Sequence, residues 1–154
     1  MLGPTNPSSH RYLSYTDGIA ASGLGDFILL AARVLGGYYF LVAGWGKVMN
    51  VSGFAASQMA NGVPAVFAYM APFAEFLGGL ALIIGFATRY AALGLFIFTA
   101  TATYLAHLFW TYPEAQQAMQ RGQFMKNITI MGGQLALFIA GPGRISLDRW
   151  LSRR

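Results

Sequence analysis

Arg33 stands seven residues into an apolar stretch covering residues 26–46, and three further stretches of the same character follow. Residues 66–86 carry Glu75, residues 90–110 carry His107, and residues 126–142 carry Asn127. A helix rises about 1.5 Å per residue, so each stretch is long enough, or nearly so, to cross a hydrocarbon layer of about 30 Å. A charge at such depth costs roughly 2.5–3.5 kcal/mol on insertion scales, so it faces a bundle interior or a cavity and has a partner. Function in this chain has to be sought in its buried polar groups.

Composition removes the main alternatives. Only 10% of the 154 residues are charged and 56% are hydrophobic, whereas soluble domains carry about 25% charge. The apolar stretches lack the two-residue alternation of a barrel, and in lipid the remaining way to satisfy every backbone group is a helix. Nineteen glycines suit helices that approach closely in a membrane. No cysteine is present, which excludes a disulfide, a thiol nucleophile and a Cys-ligated cluster. Any reaction on sulfur compounds would need chemistry from a partner or cofactor.

The net charge of +5 raises a nucleic-acid reading, but its placement argues against one. Basic residues lie at the ends of the apolar runs and cluster at Arg144, Arg149, Arg153 and Arg154. That pattern suits anionic lipid headgroups. Two histidines, one of them His10 in a polar tail, do not make a metal centre, so no metal is expected. GDFILLAARVLGG has glycines without the strand–turn–helix setting of a dinucleotide site.

The expected organisation is an N-terminal tail and surface segment over residues 1–25 with no cleaved signal, a four-helix membrane domain over 26–148, and a basic tail over 149–154. Asp26 is placed to cap the first span, which ends at Trp45, Gly46 and Lys47, where an indole and an ammonium suit the headgroup zone. Residues 50–64 are weakly polar. Ser52 is positioned to cap a short interfacial helix there, closed by Asn61 and Gly62. The four residues from Ala87 to Tyr90 force the second and third spans to be antiparallel neighbours. Residues 113–121 read as a surface helix opened by Pro113. Lys126 and Asn127 then open the fourth span, and Gly141, Pro142 and Gly143 stop it. The predicted fold is an all-α membrane protein, a four-transmembrane-helix bundle with short interfacial helices on the outer side. With both termini cytoplasmic, six Lys and Arg residues fall inside and three outside, counting those beyond the spans, as the positive-inside bias favours.

Arg33, Gly37, Phe40, Gly44 and Lys47 recur at helical spacing and define one face of the first span. Counting depth from the assumed span ends puts Arg33 and Glu75 about 6 Å apart in height, which predicts a buried charge pair, either structural or part of a proton path. Lys47, His107 and Asn127 all fall at the outer level, with Tyr104 one turn deeper than His107. A lipid-soluble ring would find Phe40 or Tyr104 beside it and Lys47, His107 or Asn127 at its oxygens. These are the candidate ligand-binding residues for a quinone-like molecule. The plainer roles remain open: Lys47 as a snorkelling anchor, Asn127 as a helix bridge, and His107 as an interface group. No catalytic residue is assigned.

AARVLGGYYFLVAGWGKVMN, NGVPAVFAYMAPFAEFLGGLALIIGFATRYAALGL, the His107 region and KNITIMGGQLALFIAGPGRISLD together resemble the DoxX family of small bacterial membrane proteins. Arg33 and Lys47 match the family's bracketing of the first span. Pro64, Glu75 with Gly78 and Gly79, Gly85, His107, Lys126 with Asn127, and the 141–143 turn match the rest. The resemblance implies a four-span protein of the bacterial inner membrane. Some members are associated with quinone-linked thiosulfate oxidation and others with resistance to quinones, catechols or oxidative stress, often beside soluble redox proteins. The expectation is a membrane component that binds or handles a quinone-like molecule in a respiratory or detoxifying system, with no covalent cofactor. The alternative, from a different class, is a non-catalytic anchor or assembly factor for soluble redox enzymes. Expected partners are membrane lipids, a quinone and a soluble redox protein, with self-association open and no nucleic acid.

Overall fold

The computed structural model describes Gly18 and residues 22–154; most of the expected 1–25 segment lies outside the described residues. All regular structure among them is helical. The helices are α1 (Gly23–Val48), α2 (Val51–Ala60), α3 (Ala65–Ile84), α4 (Thr88–Ala106), α5 (Glu114–Ala140) and α6 (Leu147–Leu151), with a single 3-10 turn at Phe109–Thr111. Among the described residues, three helical segments are long and apolar enough to cross a membrane: α1, α3, and α4 continued through Thr111.

The surface is turned inside out relative to a soluble protein. Leu35 is 75% exposed and Ile139 72%, while Arg33 is 0% and Gln134 3% exposed. Such a distribution is favourable where the surroundings are lipid and the polar groups find partners inside.

The predicted face of α1 turns inward, with Arg33, Gly37, Phe40 and Gly44 all buried. It packs on α3 through glycine. A β-carbon at Gly37 would stand 2.6 Å from the Gly79 carbonyl oxygen, and one at Gly79 would stand 2.5 Å from the Leu41 nitrogen. No side chain larger than hydrogen fits at either position, and their closeness sets the α1–α3 register. Phe40, Leu82, Ala92, Leu95 and Leu137 form the main apolar core. Ala55, Val63 and Ala68 form a smaller one under α2.

Three local expectations are corrected. Ser22, not Asp26, caps α1, accepting from the Gly25 N–H at 3.4 Å. Asp26 instead accepts from the Arg144 backbone N–H at 2.7 Å and its Nε at 2.6 Å, tying α1 to the segment after α5. Asn50, not Ser52, caps α2 through Gly53 N–H at 3.0 Å; it stands one residue before the helix, where a cap side chain can reach back into the first turn.

The third correction joins two elements into one. The surface helix expected over 113–121 and the span expected from Lys126 are both parts of α5, 27 residues without a break. Between them lie only Gly122, Gln123, Phe124 and Met125, with no proline, and a single glycine weakens a helix without ending it. The first half of α5 is polar, so by composition the helix as a whole is less apolar than the other three long ones.

Two arginines and one aspartate close the end of the bundle opposite Lys47. Arg33 Nη1 donates to the carbonyls of Leu82 at 3.3 Å and Ile83 at 3.4 Å, and Nη2 donates to that of Ile145. Arg89 Nη1 donates to Phe138 at 2.6 Å and Ile139 at 2.9 Å. Each cation therefore meets carbonyls in the last turn of a helix, where the helix dipole favours positive charge. Ala87 holds a left-handed conformation, φ 45°, which disfavours any residue with a β-carbon. Asp148 stabilises that turn, accepting from Ala87 N–H at 2.6 Å and Thr88 N–H at 2.9 Å, and its own N–H donates to Gly85 at 2.9 Å. The C-terminal helix is thus built into the turn between α3 and α4.

Candidate functional site

At the Lys47 end the helices splay around a cavity of about 370 Å³. Its walls come from α1, α2, α3, α4, α5 and the segment after α4. The volume falls within the range of small-molecule pockets, about 300–1,000 Å³.

The predicted Arg33–Glu75 pair does not form. Glu75 accepts from Lys47, Nζ to Oε2 at 2.5 Å, with the carboxylate side chain 9% and the lysine side chain 29% exposed. The register explains the exchange. With Gly37 beside Gly79 and Ile83, and Gly44 beside Phe76, the antiparallel helices bring Lys47 level with Glu75 and Arg33 level with the last turn of α3. Depth counted from assumed span ends missed this because α1 extends past the end of α3. Lys47 also lies 5.1 Å from the centre of the Phe54 ring, so α2 roofs the pair.

Four of the five residues proposed from sequence line this cavity: Phe40, Lys47, His107 and Asn127. Tyr104 does not. It is 70% exposed, because on α4 the buried stripe runs through Leu95, Thr99 and Thr103 and Tyr104 faces away from it.

His107 ends α4, and its Nδ1 lies 2.8 Å from Gln120 Oε1 on α5. With the amide oxygen as acceptor, Nδ1 carries the hydrogen, and Nε2 of the neutral ring is left as an acceptor. The Tyr112 hydroxyl donates to the Ala106 carbonyl at 2.9 Å, pinning the loop that follows His107. Asn127 Nδ2 donates to Thr103 Oγ1 at 2.9 Å; Thr103 in turn donates to the Thr99 carbonyl at 2.7 Å. Lys126 donates to the Tyr39 hydroxyl at 2.7 Å and to Gln123 Oε1. Phe67 and Phe98 stack with ring centres 5.4 Å apart and planes 9° from parallel, giving the cavity a flat aromatic wall.

Tyr39, Gln120, Gln123 and Lys126 also line the cavity, and none of them was expected there. A signal for three of them existed. Gln120, Gln123 and Lys126 follow one another at three-residue spacing and share a face once α5 is a single helix.

The chemistry available is clear from the groups present. Two ammonium groups, one carboxylate, one imidazole and several amides converge beside aromatic rings. The ammonium, imidazole and amide groups can donate hydrogen bonds into the cavity, and the carboxylate can accept them.

A family profile described as DoxX matches residues 28–108. The chain is 40% identical over 131 residues to Inner membrane protein YqjF of Escherichia coli strain K12, covering 85% of this chain and 97% of that one. It is 31% identical over 124 residues to Inner membrane protein YphA of the same organism, covering 79% and 89%. No solved structure gives a significant match. A profile spanning more than half of the chain and a relative matched over almost its full length carry one conclusion: the chain belongs to the DoxX family.

Proposed function

We propose that the cavity at the Lys47 end binds a quinone-like, oxygen-bearing aromatic molecule, and that the protein serves as a membrane component of a respiratory or detoxifying system. The observation that carries this reading is the meeting of the Lys47–Glu75 pair, His107 and Asn127 beside the Phe67–Phe98 stack in one cavity among membrane helices. Lys47 and Asn127 donate to ring oxygens, Glu75 sets the position of the ammonium, and His107 Nε2 takes up or returns a proton. A bound quinone supplies the capacity to accept and release electrons, and a soluble redox protein is the proposed exchange partner.

In this reading α5 is the fourth crossing, entering lipid near Lys126, so that the domain of residues 26–148 is a four-span bundle. Lys47 and the cavity lie on the outer side and both termini lie in the cytoplasm. Placement in the bacterial inner membrane is supported by the two relatives, both named as inner membrane proteins. The test is affinity for a tail-less benzoquinone in lipid nanodiscs. His107→Ala and Lys47→Met should each weaken binding about tenfold, the scale of one charge-assisted or buried hydrogen bond. Unchanged affinity in both variants would remove the proposal and leave the anchor reading in its place.

A further inference from the structure

Every charge in the outer cavity has an opposite partner except one. Among the described residues, the lining holds two lysines and a single carboxylate. Lys47 and Glu75 neutralise each other at 2.5 Å, and the other ion pair, Arg144 with Asp26, ties α1 to the segment after α5. Lys126 is left with neutral neighbours. It donates to the Tyr39 hydroxyl at 2.7 Å and to Gln123 Oε1, and its Nζ stands 4.9 Å from the centre of the Tyr39 ring. With His107 neutral, the cavity carries one surplus positive charge.

That charge is held in place but not matched. An ammonium has three N–H donors; two go to Tyr39 and Gln123, and the third finds no described acceptor. Lys126 is half-buried, and Coulomb attraction is far stronger in such surroundings than in bulk water. A charge held among membrane helices is ordinarily matched by an opposite one. Neutral oxygens orient the ammonium without cancelling its charge, so the missing partner is an anion. The Phe67–Phe98 stack and Phe40, on the same walls, call for a flat apolar body. A small inorganic anion would leave those rings uncovered. The anion and the ring therefore belong to one molecule.

We propose that the outer cavity selects ring compounds bearing an ionised oxygen, a phenolate or an enolate, and that Lys126 makes the selection by pairing with that oxygen. The inference rests on the proposed function for the ring, and it adds the charge. An uncharged quinone meets Lys47 and Asn127 but leaves Lys126 unmatched, whereas a ring acid neutralises the cavity as it enters. Lys126 is thus a specificity-determining residue, distinct from the Lys47–Glu75 pair.

The experiment uses the full chain in nanodiscs of zwitterionic phosphatidylcholine and two probes of nearly the same shape. One is a hydroxynaphthoquinone, ionised at neutral pH, and the other is its uncharged methyl ether; binding to empty nanodiscs is subtracted. The wild type should hold the anion about tenfold tighter than the ether, the scale of one hydrogen bond between charged groups. Lys126→Gln should bring the two affinities together, and Lys126→Arg, which keeps the charge, should keep the preference. Glu75→Gln removes the one carboxylate from the lining and should widen the preference, which keeps the test decisive should Lys126→Gln fold poorly. Equal affinities in the wild type, a preference that survives Lys126→Gln, or one that does not grow in Glu75→Gln would overturn the selection and assign Lys126 to a lipid phosphate or to water. The two proposals fail differently. Ether binding without preference for the anion removes the selection alone, and binding of neither probe removes the ring-binding cavity and the selection with it.

Discussion

Arg33 and Glu75 are both buried, but their water is replaced differently, and so they should respond differently to mutation. The Arg33 guanidinium has neutral carbonyls as partners, three of them, from the end of α3 and from Ile145. Arg33→Met removes their side-chain donor, leaving Leu82 with only the Gly85 N–H at 3.2 Å, and should cost about 3 kcal/mol in unfolding free energy in detergent. Arg33→Lys should recover little, since one ammonium cannot reproduce a planar fork of donors. Glu75 has a charged partner in Lys47. Its loss should cost about 2 kcal/mol, between the values for exposed and fully buried pairs because the lysine is partly exposed. A double-mutant cycle checks the pairing. Lys47→Met with Glu75→Leu should recover part of the single losses, and Arg33→Met with Glu75→Leu should be additive. Coupling in the second pair and none in the first would contradict the register. At this scale the sequence was readable where position along a span alone decides height, as for Lys47, His107 and Asn127. The partner of Glu75 was not, because it depends on how far two helices slide past each other, and that is set by contacts between Gly37, Gly79 and Phe76.

Among the elements, α1 and α5 carry the most specific expectations. Gly37 sits where a β-carbon would press on backbone, so Gly37→Val should separate α1 from α3 and cost several kcal/mol, on the order of other overpacking changes or more. Gly122 lies in the middle of α5 with open space around it. Gly122→Ala should therefore stabilise the protein by up to about 1 kcal/mol through helix propensity alone. Thermal unfolding in detergent reads both. A destabilising Gly122→Ala would mean that α5 bends or breaks there, as the sequence suggested when it read 113–121 and 126–142 as separate pieces. That division came from polarity: the first half of α5 is rich in Gln and the second is apolar. Polarity describes the surroundings of a helix and says little about its continuity, which the absence of proline and of a helix-ending turn determines. The helices α1, α3 and α4 were legible because composition and length pointed the same way.

As a whole molecule, the bundle is asymmetric from end to end. The Arg33 end is closed by Arg33, Arg89 and Asp148, and the Lys47 end holds the cavity. The absence of native cysteine permits a clean accessibility test with single substitutions in sealed vesicles. Ser152→Cys should react only with reagent on the cytoplasmic side and Ser57→Cys only from outside; labelling of both from one side would contradict the four-span arrangement. What occupies the cavity is tested most directly by photolabelling in native membranes with an azide-bearing benzoquinone, followed by peptide mapping. Adducts should concentrate at 54–67, 98–107 and 119–127, and they should fall when the tail-less benzoquinone competes. Adducts spread over the lipid-facing surfaces of α1 and α3, or unaffected by competitor, would contradict quinone binding there.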